Sequence, residues 1–407
     1  MPVKHRLRRL LCILCLLPLF ASAVKARADF DIITASDLHY IAPSLTDGGA
    51  YYQRVLENGD SKYMPCIEEI TDSFFRAVLE AKPEALLLTG DLTFNGAIIS
   101  HEALVEKLRA VEAAGIPELV TTGNHDVYNL NAARYRGAAF TRVPSAATAS
   151  FASLYADFGL NEALSLAPDS NSYVYPLNAS TRVLILDLNT EHDFCGISES
   201  DLRWVGEQLR EAREAGVHVL AAGHQNLFQH SIFRGGYVIS NADRLAALFR
   251  EYGVPLYLSG HLHIQHIVTA DALTEIATSA LCSYPCQFAH VCETEGEIRY
   301  ETRRVEVPGH PQLAEEAAAY MNAHFSGTAL MPPTADLAHW PDMAAYLQEL
   351  NLAYFSGDLR DIAALDPDGS LAALWLEPGD LTALYVGSIL ELAGQNYNIW
   401  GSRSGNY

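Results

Sequence analysis

Asp37, His39, Asp91, Asn124, His224, His261 and His263 are oxygen and nitrogen donors that recur at one kind of position, just beyond an apolar run. LLLTG precedes Asp91, LVTTG precedes Asn124-His125-Asp126, VLAAG precedes His224, and LYLSG precedes His261-Leu262-His263. FDIITAS ends without the glycine and delivers Asp37-Leu38-His39. An apolar run of about four to eight residues stopped by Gly reads as a buried strand ending in a turn. Five such strands, each presenting Asp, Asn or His at its carboxyl end, predict one metal-dependent site on the edge of a sheet.

Asp37 and His39 are two apart, so at the end of an extended strand they point the same way and reach one ion. Asp91 follows a glycine, and a carboxylate can bridge two cations through its two oxygens. Asn124 offers a neutral carbonyl oxygen, and His224, His261 and His263 offer imidazole. Carboxylate, amide and imidazole without thiolate suit Mn, Fe, Zn, Co or Ni, and argue against a thiolate zinc site or an all-oxygen calcium site. Seven donors are too many for one ion and suit two. Two ions about 3.5–4 Å apart clamp the attacking and leaving oxygens of an in-line displacement and lower the pKa of bound water.

Strands and helices alternate over residues 29–307, as the positioning of such a site requires. The predicted strands are Phe30–Ala35, Ala85–Thr89, Glu118–Thr122, Arg182–Leu188, His218–Ala222 and Pro255–Ser259. Between them lie the helical patterns Cys66–Ala81, Glu102–Ala114, Ala149–Phe158, Ser200–Ala215 and Ala242–Tyr252, the fourth with N-capping chemistry at Ser198-Glu199-Ser200-Asp201. His266–Ala270, Thr274–Thr278 and Glu297–Val307 read as antiparallel meander. The pattern predicts α/β architecture: two mixed sheets with helices outside, a four-layer α/β/β/α sandwich. Residues 41–62 read as one long loop beside the site, either functional or a surface excursion. In that loop Tyr51 and Tyr52 either stack on a nucleobase or pack on the sheet. Arg54, Lys62 and Arg234 are the candidate phosphate-binding cations of the loops, against the reading of ordinary surface charges. Residues 308–407 read as an acidic helical C-terminal domain, with Arg360 and Arg403 as its fixed cations. Asp366-Pro367-Asp368-Gly369 is a turn without the ligands of a calcium loop.

Residues 1–28 carry a basic start, an apolar run from Leu10 to Phe20 and small residues at Ala21-Ser22-Ala23 and Ala26-Arg27-Ala28. This is the pattern of a secretory signal peptide, too short for a spanning helix of about 20 residues, with an uncleaved anchor as the alternative. Export to the periplasm, cell envelope or exterior is the expectation. The formal net charge of -22 repels polyanions, so large nucleic acids are poor substrates, whereas a small phosphate ester held by cations is not excluded. Cys66, Cys195, Cys282, Cys286 and Cys292 lie beyond the signal segment and form no C-x-x-C pattern. Cys282, Cys286 and Cys292 either contribute one disulfide or are small buried apolar residues. The oligomeric state does not follow from the sequence.

Together the blocks Asp37-Leu38-His39, Gly90-Asp91, Gly123-Asn124-His125-Asp126, Gly223-His224 and Gly260-His261-Leu262-His263 resemble, in order, the motifs of the calcineurin-like metallophosphoesterases. The resemblance covers roughly residues 30–305. It implies that Asp37, His39 and His263 hold one metal, that Asn124, His224 and His261 hold the other, and that Asp91 bridges them. It also implies that His125 acts near the leaving group as general acid or charge stabiliser, with Asp126 orienting its ring. The implied cofactors are two divalent or mixed-valence ions, Mn, Fe or Zn. Phe94 stands where purple acid phosphatases carry an iron-binding Tyr, and the G-D-x-x-D-R-G stretch of the protein phosphatases is absent. The layout is most similar to the exported bacterial phosphodiesterase branch. That implies hydrolysis of small phosphodiesters, cyclic nucleotides among them, by metal-hydroxide attack on phosphorus. The alternative is a phosphomonoesterase or nucleotidase using the same metals.

Overall fold

The structure, a computed structural model, describes residues 29–57, 62–192, 194–325 and 339–403. The signal segment read over 1–28 lies outside them. In chain order the strands are β1 Phe30–Ala35, β2 Ala85–Leu88, β3 Glu118–Val120, β4 Ala133–Arg136, β5 Ala139–Arg142, β6 Ser165–Leu166, β7 Tyr173–Pro176 and β8 Thr181–Ile185. They continue with β9 His218–Ala222, β10 Leu256–Ser259, β11 His266–Ala270, β12 Leu273–Ala277, β13 Gln287–Thr294, β14 Glu297–Arg304 and β15 Ile399–Arg403. The α-helices are α1 Ala50–Leu56, α2 Ile67–Ala81, α3 Ile98–Ala113, α4 Thr148–Leu154, α5 Glu199–Glu214 and α6 Ala242–Tyr252. Near the C-terminus follow α7 Leu313–Phe325, α8 Trp340–Ser356, α9 Ser370–Leu376 and α10 Leu381–Leu390.

Two large sheets form, in the orders β15-β14-β13-β1-β2-β3 and β11-β12-β10-β9-β8-β7-β6. Successive strand residues face opposite sides, and β1 shows the consequence. Ile32 points between the sheets, into a core shared with Leu87, Ile185, Leu220 and Leu258, all buried. Ile33 points outward, to Phe74 of α2 and Leu104 and Leu108 of α3. On the second sheet Leu184 and Tyr257 meet Trp204 and Leu209 of α5 and Leu245 and Phe249 of α6. The result is the α/β/β/α sandwich with each sheet apolar on both faces, as parallel strands require. Phe249 is fully buried, and truncating such a ring to Ala costs about 3–5 kcal/mol. Ser198 caps α5 by accepting from the Asp201 N–H at 3.0 Å, as its sequence predicts.

β1, β2 and β3 run parallel, as do β8, β9, β10 and β12. Parallel strands put all their carboxyl ends on one edge of a sheet, and that edge receives the motif residues. Three differences from the sequence reading stand out. β13 was not predicted; it pairs antiparallel with β1 and β14 in the first sheet, whereas β11 and β12 join the second, so the three segments read as one meander are split between the sheets. Within the stretch read as a loop, a 3-10 turn at Pro43–Leu45 and α1 at Ala50–Leu56 bring Leu45, Tyr52 and Leu56 into the core. The chain also leaves its C-terminal helices and returns as β15, an edge strand on β14. Those helices gather around Trp375, Leu350 and Val386 and meet the site through Ile264 and the partly buried Leu262. Among the described residues no helix is long and apolar enough to cross a membrane.

Candidate metal centre

Asp37 and His39 follow β1, Asp91 follows β2, Asn124 follows β3, His224 follows β9, and His261 and His263 follow β10. Asp37, His39, Asp91, His261 and His263 have φ between 47° and 73°, the left-handed region that non-glycine residues rarely enter. Such conformations cost on the order of 1–3 kcal/mol each and persist where the surroundings over-determine them. Here the turn after each strand swings the side chain inward, and the glycines make room. A Cβ on Gly123 would sit 2.1 Å from Asp91 Oδ1, and one on Gly260 would sit 1.7 Å from Ser36 Oγ. Both glycines are therefore required by close approach.

The donor atoms of Asp37, His39, Asp91 and His263 lie within 4.8 Å of one another, and so do those of Asp91, His224 and His261. Asp91 belongs to both clusters: its Oδ2 is 3.6 Å from His39 Nε2 and 3.3 Å from His224 Nε2. Asn124 Oδ1 completes the second cluster, 3.2 Å from His224 Nε2. All seven sequence-predicted ligands converge. His39 and His263 turn their Nε2 atoms toward each other at 3.2 Å, and Asp37 Oδ1, 3.3 Å from His263 Nε2, is buried without a hydrogen-bond partner. Facing imidazole nitrogens and an orphaned carboxylate oxygen fit a divalent transition metal, because each then has a Lewis-acid partner.

Burial, followed by the nearby Lys62 cation, holds His39 well below the ordinary histidine range, and burial with His224 lowers His261 to about 4. Both rings are thus neutral, the form that ligates metal. Burial alone would raise Asp91, but the neighbouring His224 holds its carboxyl well below the usual range. In two of the candidate ligand rings one nitrogen is held by a backbone carbonyl. His224 Nδ1 donates to Thr89 O at 2.8 Å, and His261 Nε2 donates to Gly236 O at 2.9 Å.

His125 sits against this centre, its ring 4.7 Å from that of His39 and nearly perpendicular to it. Its backbone N–H donates to Asp91 Oδ1 at 2.7 Å, and its Nδ1 donates to Phe94 O at 2.8 Å, which leaves Nε2 as the free nitrogen. The orienting partner is therefore the Phe94 carbonyl and not Asp126. Asp126 is fully buried and is consumed elsewhere: it accepts from the Leu92, Thr93 and Gly123 N–H groups and from the Thr93 hydroxyl. It ties the loops carrying Asp91 and Asn124 together.

Two cavities meet at Lys62 and His125. One, of about 230 Å³, is lined by Asp91, Asn124, His261 and His263 and by Tyr354 and Phe355 of α8. The other, of about 300 Å³, is walled by Tyr51, Phe94, Tyr135 and Phe140 and edged by Asn95 and Asn131. Asn95 Nδ2 donates to Asn131 O and Tyr135 OH, while its buried Oδ1 has no partner. Lys62 is 4% exposed and lines both cavities, so it is no solvated surface charge, whereas Arg54 and Arg234 are exposed.

The motif pattern missed several supports. β8 is a sixth parallel strand of this kind; beyond it Asp187 accepts from the Thr122 hydroxyl, and Asn189 donates to Thr122 O and exchanges hydrogen bonds with Gln225. RVLILDLN carried the same run-then-polar signal, though without a glycine. Glu275 of β12, fully buried, accepts from the Leu227 N–H, the Phe228 N–H and the Ser259 hydroxyl, and so anchors the loop after His224.

The sequence profile of the calcineurin-like phosphoesterases matches residues 30–265, more than half of the chain, and the chain belongs to that family. It is similar to a dimetal phosphatase from Danio rerio, at 14% identity over 68% of this chain and 96% of that one, with a TM-score of 0.50. It is also similar to a putative 5'-nucleotidase from Staphylococcus aureus, at 12% identity over 78% of this chain and 63% of that one, with a TM-score of 0.41. At 14% identity the likeness to the first is one of fold alone. No curated protein matches the chain.

Proposed function

We propose that the protein is an exported phosphodiesterase that hydrolyses small phosphodiesters with two transition-metal ions. In this reading Asp37, His39 and His263 hold one ion, Asn124, His224 and His261 hold the other, and Asp91 is shared. The convergence of these seven donors on Asp91, beside a histidine whose Nε2 is free, carries the reading. When bound, such ions polarise phosphoryl oxygens and activate water. His125 Nε2 then faces the reacting group and gives a proton to the departing alkoxide, its ring fixed by Phe94 O. The shared Asp91 carboxylate holds the His125 backbone, which couples the acid to the ligand shell.

The aromatic cavity beside His125 suits the alcohol that departs. Tyr51, Tyr135 and Phe140 line it with aromatic surface, and Asn95 and Asn131 add amide groups at its edge. A nucleotide diester, cyclic or linear, suits both features. Export rests on the pattern of residues 1–28; a mature N-terminus at Val24 or Asp29 supports it, and an intact Met1 counts against it.

A phosphomonoesterase is the second reading, and Lys62 favours it, because a buried cation at the junction of the cavities suits the extra charge of a monoester. The experiment compares bis-p-nitrophenyl phosphate with p-nitrophenyl phosphate, using metal-stripped protein restored with Mn(II). Faster turnover of the diester supports the phosphodiesterase, and faster turnover of the monoester transfers the proposal to the second reading.

A further inference from the structure

Cys66, His310 and Glu316 meet on the far side of the segment that carries Lys62, although the thiol and the imidazole are 244 positions apart in the chain. Cys66 Sγ lies 3.5 Å from His310 Nε2 and 3.8 Å from Nδ1, and Glu316 Oε2 lies 2.7 Å from His310 Nδ1. The Tyr63 hydroxyl is 3.1 Å from the same carboxylate oxygen and 3.6 Å from the thiol. Thiol, imidazole and carboxylate donors all fall within 4.8 Å of one another. Cys66 is 5% exposed, whereas the His310 and Glu316 side chains are 30% and 37% exposed, so the cluster is closed behind and open in front.

We propose that these three residues form a further divalent-metal site, of zinc type, separate from the catalytic centre. Sulfur at about 2.3 Å and nitrogen at about 2.0 Å from one tetrahedral zinc stand about 3.5 Å apart; because Sγ now lies almost equally close to Nε2 and Nδ1 while Glu316 holds Nδ1, binding requires the His310 ring to turn until one nitrogen faces the ion. Three protein donors with an open front leave a fourth position for water or for the Tyr63 oxygen. Burial and the nearby Glu69 and Glu316 carboxylates disfavour a bare thiolate at Cys66, while a dication supplies the opposite charge and binds it deprotonated. The remaining described cysteines belong to no such donor group.

The position gives the site a consequence. Cys66 is the N-cap of α2 and ends the 3-10 turn Met64–Cys66; Lys62 lies just before that turn, and Tyr63 is fixed by its N–H to Cys282 O. His310 closes the turn that leads into α7, and Glu316 is in the first turn of that helix. An ion here staples the entry to α2 onto α7 and steadies the segment that carries Lys62 to the cavities.

Cobalt discriminates this site from the catalytic one, whose donors are all oxygen and nitrogen. Full-length protein is stripped of metal, kept reduced and loaded with Co(II). The wild type is expected to show sulfur-to-cobalt charge-transfer absorption, and Cys66→Ser to lose it together with one equivalent of bound metal, while diester hydrolysis persists. His310→Asn and Glu316→Gln are expected to abolish or weaken the same band, and they serve if the cysteine variant does not fold. A wild-type protein without the band overturns the proposal, and so does a band that survives Cys66→Ser or is unchanged in both other variants.

Discussion

His125 Nδ1 donates to the carbonyl oxygen of Phe94 at 2.8 Å, a bond between two loops that fixes the ring beside the candidate metal centre, where His125 lines both cavities. Phe94 also lines the aromatic cavity, so in the proposed reading one residue shapes the leaving-group pocket and aims the acid that would protonate the departing alkoxide. His125→Ala is expected to lower kcat by about 10²–10⁴-fold, the usual contribution of a positioned general acid. Metal content should stay unchanged, because the seven donors do not include this ring. Steady-state kinetics with metal analysis checks both halves. A variant that keeps full turnover removes His125 from the chemistry.

Asp126 acts through structure. Its carboxylate accepts from three backbone N–H groups and one hydroxyl in a fully buried position. Asp126→Ala strands those donors, at about 1–3 kcal/mol for each buried group left unsatisfied. The expected outcome is a lower urea midpoint and weaker metal retention, because Gly90-Asp91 and Gly123-Asn124 lose their common anchor. Urea denaturation of the metal-stripped variant isolates the stability part.

Lys62 gives a prediction about charge. Loss of a hydrogen bond to a charged group costs about 1.5–3 kcal/mol, about ten- to a hundredfold in binding. Lys62→Met is therefore expected to raise KM for p-nitrophenyl phosphate by about that factor and to affect the singly charged diester less. Equal effects on both esters would show that Lys62 supports the loop and does not read substrate charge.

Glu118 offers a pH test away from the site. Burial, then Glu112, pushes its carboxyl from 4.5 up to about 8, and its Oε1 has no hydrogen-bond partner. The folded chain thus binds a proton that the unfolded chain releases between those two values. Stability contributed by this group must fall as pH rises from about 4.5 to about 8 and stay level on either side. Glu118→Gln, already neutral, is expected to flatten that slope and to be more stable than the wild type at pH 8. Thermal melts across that range check the sign.

How much of this was visible in the chain depends on how local the signal was. Strand-ending glycines, and the acids and histidines after them, are written within a few residues, so the sandwich and its seven donors were readable. Lys62 was readable only as one of three loop cations with Arg54 and Arg234, because the burial that sets it apart is not written in the local sequence. Glu275 sits in LTEIA on the same face of the strand as Leu273, and nothing local to that segment shows that its carboxylate is buried beneath the loop after His224. β13 alternates short apolar residues with His290, Cys292 and Glu293, a weak period that only pairing on both sides makes a strand. The partnership of Asp126 with Leu92 and Thr93 links two motifs that the chain writes separately, so it could not be read beside the orienting role that the resemblance implied.

The central claim is that Asp91 joins two metal sites that act together. Mn(II), which oxygen and nitrogen donors accept and thiolates do not favour, reports on these sites selectively. Metal-stripped protein would be titrated with Mn(II) while hydrolysis of bis-p-nitrophenyl phosphate is followed. The account predicts no turnover without metal and saturation at two equivalents. Full turnover by the stripped protein, or saturation at one equivalent, would contradict it.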